Sequence, residues 1–196
     1  MDQEEDGFTV IEVVLVLAIA GLIFAGVFIA LPALWTAQRD AARKSNVSKL
    51  VSAIKTYQTN SNRGSLPTTS NFEYFTLAYA RGGTPSQNTW QSLMKEYLPA
   101  DFEDPKGSRD LYNIYIMKCI DASGSELATG QACKSYGGSL NFYNEINNNE
   151  NPNWTPSLYV SVGATCNGNT AVKANNPRSF AVMTVLERDG KYCQSS

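Results

Sequence analysis

Apolar residues crowd into one end of the chain. Val13 to Gln38 carries no charge, and Val13 to Leu34 reads VVLVLAIAGLIFAGVFIALPAL. As an α-helix that stretch is about 33 Å long at 1.5 Å per residue, enough to cross a bilayer. It is apolar on every face, which a core helix of a soluble protein rarely is, so a membrane-spanning helix is expected. The run continues well past the small-residue site Ala18-Ile19-Ala20, and the residues before it, MDQEED, are acidic. Both features argue against a secretory signal cleaved there.

The pattern changes after Gln38 without a break. From Ala37 to Asn62 there is no Gly or Pro. Val47, Leu50, Val51, Ile54 and Tyr57 recur at helical spacing and make one apolar stripe, with Arg39, Arg43, Lys44, Lys49 and Lys55 assigned to other positions. The reading is a single helix from Phe8 to Asn62, about 80 Å long. Residues 8–35 form its spanning part, and residues 36–62 continue as an amphipathic helix packed on a head. Gly21 and Ala25, and Gly26 and Ala30, have the spacing that lets membrane helices approach closely. Pro32 lacks an N–H and is expected to kink the helix or release a few of its hydrogen bonds.

Residues 63–196 read as the head. Ser70-Asn71-Phe72-Glu73 is a capping-box pattern, which predicts a short helix to Arg81 before Gly82-Gly83. Thr84-Pro85 predicts the start of another, with Trp90, Leu93, Met94, Tyr97 and Leu98 on one face and Pro99 as the stop. Asp104-Pro105-Lys106-Gly107 is a turn, and strands are expected over 111–120, 158–162 and 180–186. Arg188-Asp189-Gly190 turns the chain back toward Tyr192 and Cys193. The expected fold is α+β, a long N-terminal helix packed against a C-terminal antiparallel sheet. Asn141 to Asn153 contains seven Asn and reads as an exposed loop.

Composition removes most chemistry. The 196 residues include no His, which excludes Ser-His-Asp and Cys-His catalysis and His-based metal sites. There is no Walker A motif, dinucleotide glycine motif or nucleophile elbow, so no catalytic residue and no cofactor is assigned. Asp121 to Glu126 offers oxygens but lacks the Gly and the terminal Glu of an EF-hand, and no metal site is assigned. Asn153-Trp154-Thr155 fits a glycosylation sequon, a short pattern. A formal charge of −2 makes no electrostatic case for nucleic acid as a partner.

Cys119, Cys133, Cys166 and Cys193 all follow the apolar run, and none forms a CxxC pair. Four scattered Cys favour disulfides and an oxidising compartment, with four buried thiols in a cytoplasmic head as the alternative. Of three connectivities, the pairing of sequence neighbours, Cys119–Cys133 and Cys166–Cys193, is the one expected. Closing a 15-residue loop this way stabilises by about 3 kcal/mol through chain entropy. Arg39, Arg43 and Lys44 pull the other way, because Lys and Arg beside a span tend to remain in the cytoplasm.

One charge interrupts the apolar end. Glu12 is the only charged residue between Phe8 and Gln38, directly after Gly7-Phe8-Thr9-Val10-Ile11. A carboxylate there either sits among headgroups at the helix N-terminus or serves a function. GFTVIEVVLVLAIAGLI, Gly7 to Ile23, resembles the N-terminal signature of type IV pilins and pseudopilins. Gly7, Phe8, Glu12 and Gly21 stand at the positions of that signature, and the match covers about 25 residues. The leader differs in carrying Asp2, Glu4, Glu5 and Asp6 instead of Lys or Arg, and Pro32 lies three residues later than is usual in the family.

The resemblance implies a leader of residues 1–7, cleaved between Gly7 and Phe8 by a prepilin peptidase that also N-methylates Phe8. It implies an assembly role for Glu12 and local helix melting in the Gly21–Pro32 region. A disulfide closing a C-terminal loop, as the pair ending at Cys193 does, is also similar to the family. The implied partners are copies of the chain itself, the peptidase, the pilus assembly machinery and the membrane. The implied location is the inner membrane first and an extracellular filament afterwards. Removing residues 1–7 leaves 16 basic and 14 acidic side chains, so the charge moves from −2 to +2. A minor pilin or pseudopilin, and an anchored binding module that never polymerises, are the alternatives.

Overall fold

The computed structural model describes residues 7–60, 64–69, 72–76, 82, 84, 86, 89–99, 102–105, 113–120, 125–133, 157–188 and 190–196. Residues 1–6 with the acids Asp2, Glu4, Glu5 and Asp6, Lys106-Gly107 of the predicted turn, Asp121 to Gly124, the Asn-rich segment 141–153 and the sequon at Asn153 lie outside the described residues.

Helix α1 runs over Val10–Asn60 and is continuous through Pro32. The chain divides into two compact units, Met1–Gln38 and Arg39–Ser196. In the first, most of the described apolar side chains are exposed: Leu22 is 76% exposed and Ile29 82%. Water is a poor solvent for such a surface, and α1 is long and apolar enough to cross a membrane, so the unit is compatible with a membrane anchor.

In the second unit the amphipathic half of α1 meets a five-stranded sheet. The strands are β1 (Phe72–Thr76), β2 (Asn113–Lys118), β3 (Ser157–Val162), β6 (Phe180–Val185) and β7 (Lys191–Ser195), in the order β1-β2-β3-β6-β7. A separate hairpin joins β4 (Ala164–Asn167) and β5 (Thr170–Lys173), and a short helix α2 spans Trp90–Tyr97. Val47, Leu50, Val51, Ile54 and Tyr57 are all buried, as their spacing predicts. They pack with Trp90, Leu93 and Met94 of α2 and with Ile114, Ile116, Leu158, Val160, Phe180 and Val182 from one face of the sheet. Those sheet residues alternate along their strands, the period-2 rule of a pleated surface.

Four expectations need correction. The sheet is mixed: β2 and β3 pair in parallel, and the other neighbours pair antiparallel. A parallel pair needs a long crossover, which residues 119–156 supply. Within the segment read as a helix from Ser70 to Arg81, the described residues Phe72–Thr76 form strand β1 instead. Its Phe-Glu-Tyr-Phe-Thr composition suits a strand, and pairing with β2, including Tyr74 against Tyr115 at 5.0 Å, outweighs the local capping signal.

Helix α2 starts later than Thr84-Pro85. Thr89 is its N-cap, with its hydroxyl accepting from the Ser92 N–H and the Ser92 hydroxyl accepting from the Thr89 N–H. Finally, Arg43 does not lie off the apolar stripe. It is wholly buried, on the same stripe as Val47 and Leu50.

The disulfides are Cys119–Cys133 and Cys166–Cys193, the pairing of sequence neighbours. They join one small cluster with Ala164, Ala171 and Ala181, where the β4–β5 hairpin lies over the sheet. At Gly163 the chain leaves β3 to enter β4, with a φ of +72° that L side chains rarely adopt. Cys166–Cys193 ties β4 to the edge strand β7. Cys119–Cys133 ties the end of β2 to a segment that adds to β5 through the Cys133 N–H to the Ala171 carbonyl at 2.9 Å.

Candidate functional site

At the N-terminal end, Gly7 to Thr9 precede the helix and are exposed, with Phe8 89% accessible. A Cβ placed on Gly7 would meet nothing within 4 Å. The helix starts here because Glu12 closes its first turn. The Thr9 N–H donates to Glu12 Oε2 at 2.9 Å, and the Thr9 hydroxyl donates to the same oxygen at 2.7 Å. The Thr9 carbonyl in turn accepts the N–H groups of Glu12 and Val13. A carboxylate three residues into a helix satisfies an orphan donor and complements the positive end of the helix dipole.

Both Thr9 bonds end on Oε2, and no bond to Oε1 forms among the described residues. Residues 7–38 contain no Lys or Arg, so this stretch holds no side-chain cation for Glu12. The Gly21 position is just as open, since a Cβ there would also meet nothing within 4 Å. Pro32 has no N–H to offer the Phe28 carbonyl. The Thr36 hydroxyl donates one turn later, to the carbonyls of Ala33 at 2.9 Å and Pro32 at 3.3 Å.

A second constellation, which pattern reading missed, occupies the start of the head unit. Arg43 Nε donates to Asp104 Oδ2 at 2.9 Å, and its Nη2 lies 3.1 Å from Glu187 Oε1. Asp40 stands 3.8 Å from Arg43 and accepts the backbone N–H groups of Glu187 and Arg188, at 2.7 and 3.0 Å. Arg39 donates to Glu187 through Nε and Nη2, the shorter contact being 2.6 Å. The hydrogen bonds to Glu187 hold the Arg39 guanidinium above its ordinary value, against some loss of hydration. Asn46 adds a bond from its amide to the Glu103 carbonyl at 2.8 Å.

Three segments distant in sequence are thereby fastened together: α1, the Phe102–Pro105 stretch and the turn after β6. The signal that could have found the cluster is spacing, since Asp40 and Arg43 continue the three-and-four rhythm of Val47, Leu50 and Ile54 toward the N-terminus. Polar residues on an apolar stripe mark buried pairs when complementary charges lie elsewhere in the chain. No family model, curated protein or solved structure matches the chain.

Proposed function

We propose that the chain is a prepilin, processed between Gly7 and Phe8 and polymerised through its N-terminal helix as the structural subunit of a type IV pilus. The observation that carries the reading is the lone Glu12 carboxylate at the start of an exposed, uncharged apolar helix. In an apolar surrounding a carboxylate is stable only beside a cation. Residues 7–38 supply none, and cleavage after Gly7 creates one: the amine of Phe8. In a bundle of parallel copies displaced along the axis, the Phe8 amine of one copy meets Glu12 of its neighbour. Only the docked register satisfies both charges, so the pair sets the stagger as well as the attraction. The exposed, non-helical Gly7-Phe8 segment offers the peptidase its bond, and the two disulfides suit a head exported to an oxidising compartment.

The test is N-terminal mass spectrometry on the native chain, from membranes and from a sheared surface fraction. The expected result is a chain beginning at methylated Phe8 and present in the sheared fraction. Its abundance there separates a major subunit from a minor pilin or pseudopilin. Intact residues 1–7 on all of the membrane-held chain would overturn the reading and leave a single-pass anchored binding module, which the positive residues Arg39 and Lys44 beside the span would then favour.

A further inference from the structure

Where α1 ends, its last turn, Gly64, the turn between β5 and β6, and Ser196 line an open pocket of about 470 Å³. Gln58 and Thr59 lie about 28 Å along α1 from Arg39, so the pocket sits at the opposite end of the head unit from the buried ion cluster. Its polar groups are held in place. Gln58 donates through Nε2 to the Gly64 and Arg178 carbonyls, at 3.3 and 3.0 Å, which leaves Oε1 as an acceptor. Asn176 Oδ1 accepts the Arg178 N–H at 2.9 Å, which leaves Nδ2 as a donor. Gly64 has a φ of +84°, and a Cβ there would stand 3.4 Å from Arg178 Nη1, so the backbone passes close beside the guanidinium.

Arg178 differs from Arg39 and Arg43 in making no ion pair among the described residues. A planar guanidinium fork matches a carboxylate in two parallel hydrogen bonds. The two amides beside it add a second requirement. Gln58 Oε1 offers an acceptor and Asn176 Nδ2 a donor, a pairing that hydroxyl groups satisfy in both directions and a bare inorganic anion does not. A ligand that meets both demands has one carboxylate beside several hydroxyls. We propose that the pocket formed by Gln58, Thr59, Gly64, Asn176, Arg178 and Ser179 binds the uronate unit of an acidic saccharide, with the carboxylate on Arg178 and ring hydroxyls on the Gln58 and Asn176 amides. The proposal does not depend on polymerisation.

The experiment is a titration of the ¹⁵N-labelled full chain in detergent micelles with methyl β-D-glucuronide, methyl β-D-glucoside and inorganic phosphate. The glucuronide is expected to give saturable shifts at the Gly64, Arg178 and Ser179 amides. The neutral glucoside is expected to bind about tenfold more weakly, the loss of one charge-assisted contact at an open site, and phosphate, which lacks the hydroxyl contacts, also more weakly than the glucuronide. Arg178→Gln should weaken glucuronide binding about tenfold, and Arg178→Lys, which keeps the charge but not the fork, about threefold. Because the side chain is exposed, both variants should keep the unliganded spectrum away from the pocket. Absence of saturation at about 50 mM glucuronide, well beyond the affinity range of a weak site, would overturn the proposal. So would equal binding of glucoside or phosphate, or wild-type affinity in Arg178→Gln.

Discussion

Arg43 and Asp104 are 61 residues apart in the chain and meet at 2.9 Å, both out of contact with water. The pair joins α1 to the segment leading into the sheet. Two further acids crowd the same guanidinium: Asp40 at 3.8 Å, and Glu187, which is shared with Arg39. Removing Arg43 takes the guanidinium away from the buried Asp104 carboxylate, while Glu187 keeps its pair with Arg39. Arg43→Ala is therefore expected to cost about 3–5 kcal/mol of head stability, whereas Arg43→Met with Asp104→Leu should recover part of the loss. Guanidinium unfolding of both variants in micelles measures this. Equal losses in the single and double variants would show that packing rather than charge is what Arg43 contributes.

The assembly reading makes its own demand on the first turn. Thr9 places two donors on Glu12 Oε2, so Thr9→Ala removes one of them and leaves the backbone bond. Sheared-filament yield should fall in Thr9→Ala and fall further in Glu12→Ala, with Glu12→Gln close to Glu12→Ala because the amide carries no charge. Quantitative blotting of sheared and membrane fractions checks it. Wild-type yield from Glu12→Gln would remove the charge pair from the mechanism.

Cys119–Cys133 and Cys166–Cys193 close loops with sequence separations of 14 and 27. Chain entropy assigns them about 3 and about 3.5 kcal/mol. Both belong to one cluster, so Ser replacement of all four Cys should cost less than the sum of the two paired replacements. Denaturant midpoints of the three variants provide the cycle. Strict additivity would mean that the two bridges brace independent regions.

Ser161 is wholly buried on β3, and its hydroxyl has no hydrogen-bond partner among the described residues. A buried hydroxyl without a partner loses its hydration for nothing in return. Ser161→Ala is expected to raise stability by about 1 kcal/mol. A loss of similar size in thermal melts would reveal that the hydroxyl is satisfied after all.

Tyr57 is 3% exposed and meets Tyr97 edge-to-face at 5.8 Å. Burial pushes its phenol up, with the nearby Tyr97 and Glu96 adding to the effect. The folded chain thus holds the phenol neutral where the unfolded chain begins to ionise, at roughly pH 10. Its contribution is complete below that pH and is lost as pH rises from there through the folded value. Melting temperature should fall less steeply across that alkaline window in Tyr57→Phe than in wild type. Parallel slopes would show that other groups control alkaline unfolding.

Much of this architecture was legible in the order of residues. The uncharged run after Glu12 is long enough to span a bilayer whatever it packs on, and Val47, Leu50, Val51, Ile54 and Tyr57 declare their face by spacing, because helical period is a local property. The strands around Tyr115, Val160 and Val182 were readable for the same reason. The parallel alignment of β2 with β3 was not. Antiparallel and parallel neighbours have the same strand chemistry, and the choice depends on how residues 119–156 carry the chain across. The capping pattern at Ser70 pointed to a helix, and only cross-strand pairing with β2 made Phe72–Thr76 a strand. Arg43 was misplaced because charge ordinarily marks a solvated face. Its burial is tolerable only where Asp104 and Glu187, remote in the chain, arrive beside it. Local periodicity is therefore written into the sequence of this protein, whereas partner choice between distant segments follows from the packed tertiary structure, where desolvation makes each buried charge depend on the groups folded against it.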